Sequence, residues 1–270
     1  MSSSYFKPAW WLTNPHSQTL WPVLCRRRIK NLSLRRERVE LRDGDFIDLD
    51  WTERKNGPIV LILHGLEGSV QSPYVQGMLH AISQQGWRGV CMHFRSCSGE
   101  RNRLSRVYHS GETEDIAEIV GLLQQREPKT PLAAIGFSLG GNVLLKWLGE
   151  TGEHNPLVAA IAVSVPFELS KAAARINRGF SRVYQWRLLH SLCKKIKWKF
   201  DKISAPIAMP LLHKIRTLRE FDDQVTAPLH GFANATDYYT QASSRQYLHR
   251  IRIPALLLQA KDDPFGLFPK

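Results

Sequence analysis

The sequence predicts an α/β fold: a mostly parallel central sheet with helices on both faces, broken once by a helical insertion. Three observations lead there. Continuous apolar runs at 58–63, 131–135 and 157–163 have strand length and fit strands buried on both faces. Segments of helical period alternate with them, the rhythm of a parallel sheet. From about Pro166 to Tyr247 that rhythm stops and only helical patterns remain.

Taken in order, residues 5 to 24 hold Phe6, Trp10, Trp11 and Trp21 among Pro8, Pro15 and Pro22. This mixture predicts no regular element. It predicts a segment wrapped around the domain with its tryptophans covered. Left exposed, the same rings would make a membrane or partner contact. Next comes a basic run, Arg26, Arg27, Arg28 and Lys30, then Arg35, Arg36 and Arg38. It reads as the solvated edge of a strand, where charge discourages pairing with another chain. The strand-like Val39-Glu40-Leu41, the turn Asp43-Gly44 and the return 46–51 make a hairpin.

The run 58–63 feeds His64-Gly65-Leu66-Glu67-Gly68-Ser69, an H-G-x-x-G loop. A helix from about Pro73 to Gln85 ends at Gly86, and the strand 89–94 leads into the polar loop Arg95-Ser96-Cys97-Ser98-Gly99. Glu112, Glu114 and Asp115 load the start of the following helix with charge that suits its dipole. Ile116, Ile119, Val120, Leu122 and Leu123 give that helix an apolar face.

Pro131-Leu132-Ala133-Ala134-Ile135 then runs into Gly136-Phe137-Ser138-Leu139-Gly140-Gly141, and a helical run follows from Asn142 to Leu148. This is G-x-S-x-G in a strand–turn–helix setting, the pattern of a nucleophile elbow. A sharp turn holds the serine hydroxyl above the end of the sheet. A β-carbon at Gly136 or Gly140 would clash there. The N–H groups at the helix start point toward any oxyanion that develops. Ser138 is therefore the candidate nucleophile. The backbone N–H groups of Leu66 and Leu139 are the candidate oxyanion donors. His64 braces the loop and is not the base, because it lies on the oxyanion side.

Within the insertion, helices are expected at 172–175, 183–200 and 211–221. Arg175, Arg178, Arg182, Arg187, Lys194, Lys195, Lys197, Lys199 and Lys202 concentrate the positive charge there. Trp186, Leu189, Leu192, Cys193, Ile196 and Phe200 recur at helical spacing and are expected on the face opposite those charges. The segment reads as a cap over the site with a solvated basic face. A sharper reading is contact with a membrane surface or an acyl chain.

The chain returns to a strand at 252–258 and ends it in Lys261-Asp262-Asp263-Pro264. A carboxylate at this place is the expected triad acid. Asp263 is preferred to Asp262 because an Asp-Pro step begins a turn naturally. The triad order Ser…Asp…His then calls for a histidine, and none of the ten histidines follows Asp263. The expectation is a C-terminally shortened form that lacks the last strand and helix, with 266–270 as a non-native tail. Its strand 255–258 would become a bare sheet edge, and its activity would be very weak.

Composition narrows the field. At 270 residues and 43% hydrophobic, the chain can build one domain. The expected layout is a core of 26–165 and 248–263, a cap of about 166–247 and an N-terminal segment of 1–25. A net charge of +13 admits nucleic acid or an anionic membrane as partners. The charge lies on the insertion and not around a stacking platform, so nucleic acid is not expected. Weak membrane-surface contact through the basic cap is the remaining option. Cys25, Cys91, Cys97 and Cys193 are scattered without a C-x-x-C pair, so neither zinc nor a disulfide framework is signalled. No signal-peptide core and no apolar run of about eighteen residues occurs, which suggests a cytoplasmic protein.

The assembled motifs resemble the AB-hydrolase-4 family of α/β hydrolases. The resemblance rests on Asn14-Pro15-His16-Ser17-Gln18-Thr19-Leu20, His64 to Ser69, Phe94 to Gly99, Tyr108-His109-Ser110-Gly111-Glu112-Thr113, Gly136 to Gly141, Leu218-Arg219-Glu220-Phe221-Asp222 and Asp237-Tyr238-Tyr239. It covers almost the whole chain. It implies the α/β-hydrolase fold and hydrolysis or acyl transfer on short- or medium-chain esters, without a cofactor. Ser138 matches the family's nucleophile, and Asp262-Asp263 its acid motif. The family's histidine has no counterpart here. The rival readings are a non-catalytic binding protein of the same fold and a basic-cap binder of membranes or nucleic acid.

Overall fold

The computed structural model describes residues 7–25, 29, 32–54 and 56–265. Phe6, Arg26, Arg27, Arg28, Lys30 and the tail 266–270 lie outside the described residues.

The described chain forms one seven-stranded sheet in the order β1-β2-β4-β3-β5-β6-β7. The strands are β1 (Leu34–Glu40), β2 (Phe46–Thr52), β3 (Ile59–Leu63), β4 (Arg88–Met92), β5 (Leu132–Phe137), β6 (Ala159–Val163) and β7 (Ala255–Leu258). The two pairings made by β2 are antiparallel, and β4 through β7 are parallel. This is the mixed, mostly parallel sheet expected.

Strand β3 shows why its residues need no polar face. Ile59, Leu61 and Leu63 pack with α3 (Glu114–Arg126) and α4 (Leu139–Thr151) on one side. Val60 and Ile62 pack with α2 (Pro73–Gln84) on the other. The period of two sends alternate side chains to opposite faces, and a helix covers each.

The arginines of β1 are on an edge strand, as expected, but they are paired. Arg36 and Arg38 stand opposite Asp50 and Asp48 in the register and ion-pair with them at 2.8 Å. Deeper in, Arg95 is almost wholly buried between Asp45 and Asp115, at 3.0 and 2.7 Å.

Three expectations fail, two of them in the N-terminal segment. Residues 15–25 form a helix, α1 (Pro15–Cys25), where no regular element was expected. Pro15 fits the first helical position, where its missing N–H costs nothing. Asn14 precedes it and accepts the His16 N–H at 2.8 Å. The nearby tryptophans are not covered: Trp10 is 88% exposed, and Trp11 and Trp21 nearly half. Helix α1 turns Pro15, Gln18, Thr19 and Leu20, not Trp21, toward the interior cavity.

Between β6 and β7 lie α5 (Leu169–Ile176), α6 (Ser181–Lys199), α7 (Leu218–Phe221), α8 (Ala227–His230) and α9 (Ala235–Ala242). Leu189, Leu192 and Ile196 of α6, with Phe200 at its C-terminal cap, build a second apolar core with Leu212, Ile215 and Phe221. The helix expected at 211–221 is broken in two. Thr217 caps α7 in a reciprocal capping box with Glu220, and this fixes a new start. At the far edge, Leu256, Leu257 and Leu258 of β7 are about half exposed.

Candidate active site

Ser138 joins β5 to α4 with φ 51° and ψ −116°. A positive φ in a residue with a β-carbon is costly and persists only where the surroundings impose it. They do so here. The Ser138 N–H donates to Val163 O at 2.8 Å, and Ser138 O accepts the Asn142 N–H at 3.0 Å. A β-carbon on Gly136 would fall 2.5 Å from Gly140 O, and one on Gly140 would fall 2.5 Å from Leu63 O and His64 O. Both glycines are therefore required by close backbone approach.

The loop after β3 lies against the serine: a β-carbon on Gly65 would sit 3.3 Å from Ser138 Cβ. His64 is fully buried beneath it. Its Nδ1–H donates to Gly65 O at 2.8 Å and its Nε2 accepts the Phe94 N–H at 3.2 Å. Burial pulls its pKa down to about 3, so it braces the loop as a neutral ring. The Gly65 N–H donates to the Tyr74 hydroxyl and the Glu67 N–H to the Tyr108 hydroxyl, both at 2.9 Å. Among the described residues the N–H groups of Leu66 and Leu139 have no acceptor.

Glu67 has φ 56°. Its carboxylate accepts from Tyr108 Oη at 2.9 Å and Ser191 Oγ at 2.5 Å, and it ion-pairs with Lys195 at 2.6 Å. Lys195 Nζ also lies 3.0 Å from Cys97 Sγ. Burial alone would lower the lysine; the Cys97 sulfur and the Glu67 carboxylate outweigh it and hold the pKa above its ordinary value. Helix α6 is thereby pinned to the loop that carries Leu66.

Ser138, Leu66 and Leu139 line a cavity of about 810 Å³. Its walls are mainly apolar, with Leu169, Ile176, Leu188, Leu192, Leu218 and Phe221 among them. Asp262 and Asp263 line the same cavity. Asp263 is fixed by the Phe265 N–H at 2.9 Å and Gln259 Nε2 at 3.2 Å. Asp222, part of a sequence motif but with no role expected of it, sits in the cavity wall. It accepts from the Tyr239 hydroxyl at 2.7 Å and the Thr226 hydroxyl at 2.8 Å. Burial raises its pKa to about 6. Arg187, at the cavity rim, is exposed and has no carboxylate partner among the described residues.

The Ser138 hydroxyl has no hydrogen-bond partner among the described residues. His109 is the imidazole among the described residues on the cavity wall. Its Nδ1 accepts the Gly111 N–H at 3.1 Å, which places the proton on Nε2 and leaves no free lone pair. Burial holds its pKa well below the ordinary value. One atom each of His109, Glu112 and His230 lie within 4.8 Å of one another. With the His109 Nε2 protonated and Arg106 Nη2 at 2.7 Å from the Glu112 carboxylate, the trio does not suit a cation.

Behind the elbow, Asn142 on α4 is fully buried. Its amide donates to Ser110 O at 2.8 Å and Ala242 O at 2.7 Å and accepts the Ser244 N–H at 3.0 Å. One side chain thus joins the elbow helix to the His109 loop and to the end of α9. The signal was a polar residue at the head of an otherwise apolar helical run.

Sheet order, elbow and cavity are those of an α/β hydrolase, and the comparisons agree. The family model for the alpha/beta hydrolase fold matches residues 58–266. The chain belongs to that family. Among its relatives is YheT of Escherichia coli, which carries an esterase name; it is 46% identical over 98% of this chain and 79% of its own length. Phospholipase ABHD3 of Mus musculus is 30% identical over 98% of this chain and 67% of its own. The monoacylglycerol lipase of Saccharomyces cerevisiae is 34% identical over 77% of this chain and 48% of its own. The Pyrococcus furiosus esterase Pf2001 shares the fold, with a TM-score of 0.51 at 17% identity over 85% of this chain and 83% of that one. The chain is accordingly a hydrolase of the esterase and lipase type. No described helix is long and apolar enough to cross a membrane.

Proposed function

We propose that the chain is a serine carboxylesterase. It hydrolyses, or transacylates, short- to medium-chain carboxylic esters through an acyl-enzyme at Ser138. The observation that supports this most is the strained elbow beside two N–H groups without acceptors, facing one apolar cavity. Ser138 Oγ attacks the ester carbonyl, and the N–H groups of Leu66 and Leu139 hold the oxyanion. Asp263, or less favourably Asp262, would orient a neutral imidazole that takes the serine proton and steady the imidazolium so formed. The helices of 166–247 act as a lid, and their apolar side chains hold the acyl group. The reaction needs no metal or cofactor.

The proton acceptor is the weak point of the chain itself. None of its described histidines is hydrogen-bonded to Ser138, so turnover rests on the oxyanion donors and on water or buffer as base. Slow hydrolysis of p-nitrophenyl butyrate is expected, with acceleration by added imidazole above the uncatalysed background. Ser138→Ala removes both. Unchanged hydrolysis in Ser138→Ala would contradict the proposal. The second reading, a non-catalytic binding protein of this fold, is favoured by that same free hydroxyl. It predicts saturable binding of an ester with no turnover, with or without imidazole.

A further inference from the structure

The outer face of α6 differs from the expected one. Trp186 was expected on the buried side; it is 69% exposed. It stacks on His190 at 5.9 Å, on the cationic side of the helix. Val183, Trp186, His190, Lys194 and Lys197 follow one another at helical spacing, and all five are exposed. Arg182 and Arg187 flank them. Phe180, just before the helix, is half exposed. The helix contains no acidic residue. Arg178, Arg182, Arg187, Lys194 and Lys197 have no carboxylate partner among the described residues, whereas most arginines of the sheet domain do.

A second exposed aromatic group adjoins this one. His16 of α1 packs on Phe180 at 4.9 Å and bonds the Tyr184 hydroxyl at 3.2 Å. Trp11 and Trp21 form an edge-on pair at 4.6 Å. Pro15, Gln18, Thr19 and Leu20 of α1 and Tyr184, Arg187 and Leu188 of α6 border the cavity that holds Ser138. The two helices that border the cavity thus also carry, or adjoin, exposed tryptophans and unpaired cations, Arg187 among them at the cavity itself.

We propose that this rim docks on an anionic phospholipid surface. Tryptophan rings prefer the headgroup boundary, and unpaired lysines and arginines are drawn to acidic lipids. The +13 net charge supports approach to such a surface. Docked this way, the cavity opens toward the lipid. An amphiphilic ester could then enter without crossing water. The docking stands independently of the chemistry assigned to Ser138.

Co-sedimentation of the full chain with vesicles tests it. Vesicles of phosphatidylcholine with phosphatidylglycerol should retain the chain, and phosphatidylcholine alone should retain much less. The partition coefficient should fall steeply with salt. Arg182→Gln with Lys194→Gln should lower partitioning about 30-fold, since each cation near the surface contributes about fivefold. Trp186→Ser should lower it about tenfold and reduce the tryptophan blue shift on binding, the remainder coming from Trp11 and Trp21. Neither variant touches the cavity wall, so hydrolysis of a water-soluble ester should be unchanged in both. Ser138→Ala should bind vesicles like the parent chain, so failure of the catalytic reading would leave this result standing. Equal binding to neutral vesicles, parent-like binding of the variants, or salt-sensitive binding to DNA without vesicle binding would overturn the proposal.

Discussion

At the scale of single residues, the site depends on positions where the backbone has no freedom. The elbow at Ser138 was legible because its determinants are contiguous: an apolar strand, two glycines around a serine, and a helix start. Gly140 must lack a β-carbon because the carbonyls of Leu63 and His64 occupy the space. Asn142 was not legible as a keystone, because its partners Ser110, Ala242 and Ser244 are far away in sequence. Its role gives a sharp expectation. Asn142→Ala leaves two carbonyls and one N–H buried without partners, which costs roughly 3 kcal/mol or more. The melting temperature should fall by about 6–12 °C. A melt within a degree of the parent would show that water replaces the amide without loss. Asp222 and Tyr239 stood in two separate motifs, and nothing local announced that the acid is buried against that hydroxyl.

Among the elements, strands and helices of the sheet domain were readable, because period and length specify which side chains share a face. What covers each face is not written locally. Helix α6 shows the limit. Its spacing placed Trp186 with Leu189 and Leu192, yet those leucines join the second apolar core while the ring stands in solvent. The pin between α6 and the loop after β3 was also invisible, because Glu67 and Ser191 are 124 residues apart. That pin matters to the proposed chemistry. Glu67 follows Leu66, so a shift of α6 would move the backbone carrying an oxyanion donor. The N-terminal segment failed for a simpler reason: three prolines suggested irregularity, and Pro15 instead starts a helix.

For the whole molecule, the fold class and the mostly parallel sheet followed from alternation, while the strand order came only with the structure; the buried histidines add a pH dependence. His64, His109 and His230 are all held below their ordinary range by burial, with His64 at about 3 and His230 at about 4. In the native state they stay neutral, while in the unfolded chain they take up protons near pH 6.5. Their contribution is therefore complete above about pH 6.5 and is lost as the pH falls toward 4 and 3. Asp222 has the opposite sign. Its raised pKa makes the native state bind an extra proton between about 4 and 6, so it gains as the pH falls. Glu112, which burial also raises, shares that sign. The three histidines outweigh these two carboxyls. Calorimetry should find a melting temperature about 5–10 °C lower at pH 4.5 than at pH 7. A flat or rising profile across that window would mean that the histidines are hydrated in the folded protein.

The most direct test of Ser138 as nucleophile is covalent. The full chain is incubated with a fluorophosphonate and the adduct is mapped by peptide mass spectrometry. The expected result is a single adduct on Ser138, formed faster with imidazole and absent from Ser138→Ala. An adduct on another serine, or none on a chain shown by its melt to be folded, would contradict the assignment and leave the binding-protein reading in its place.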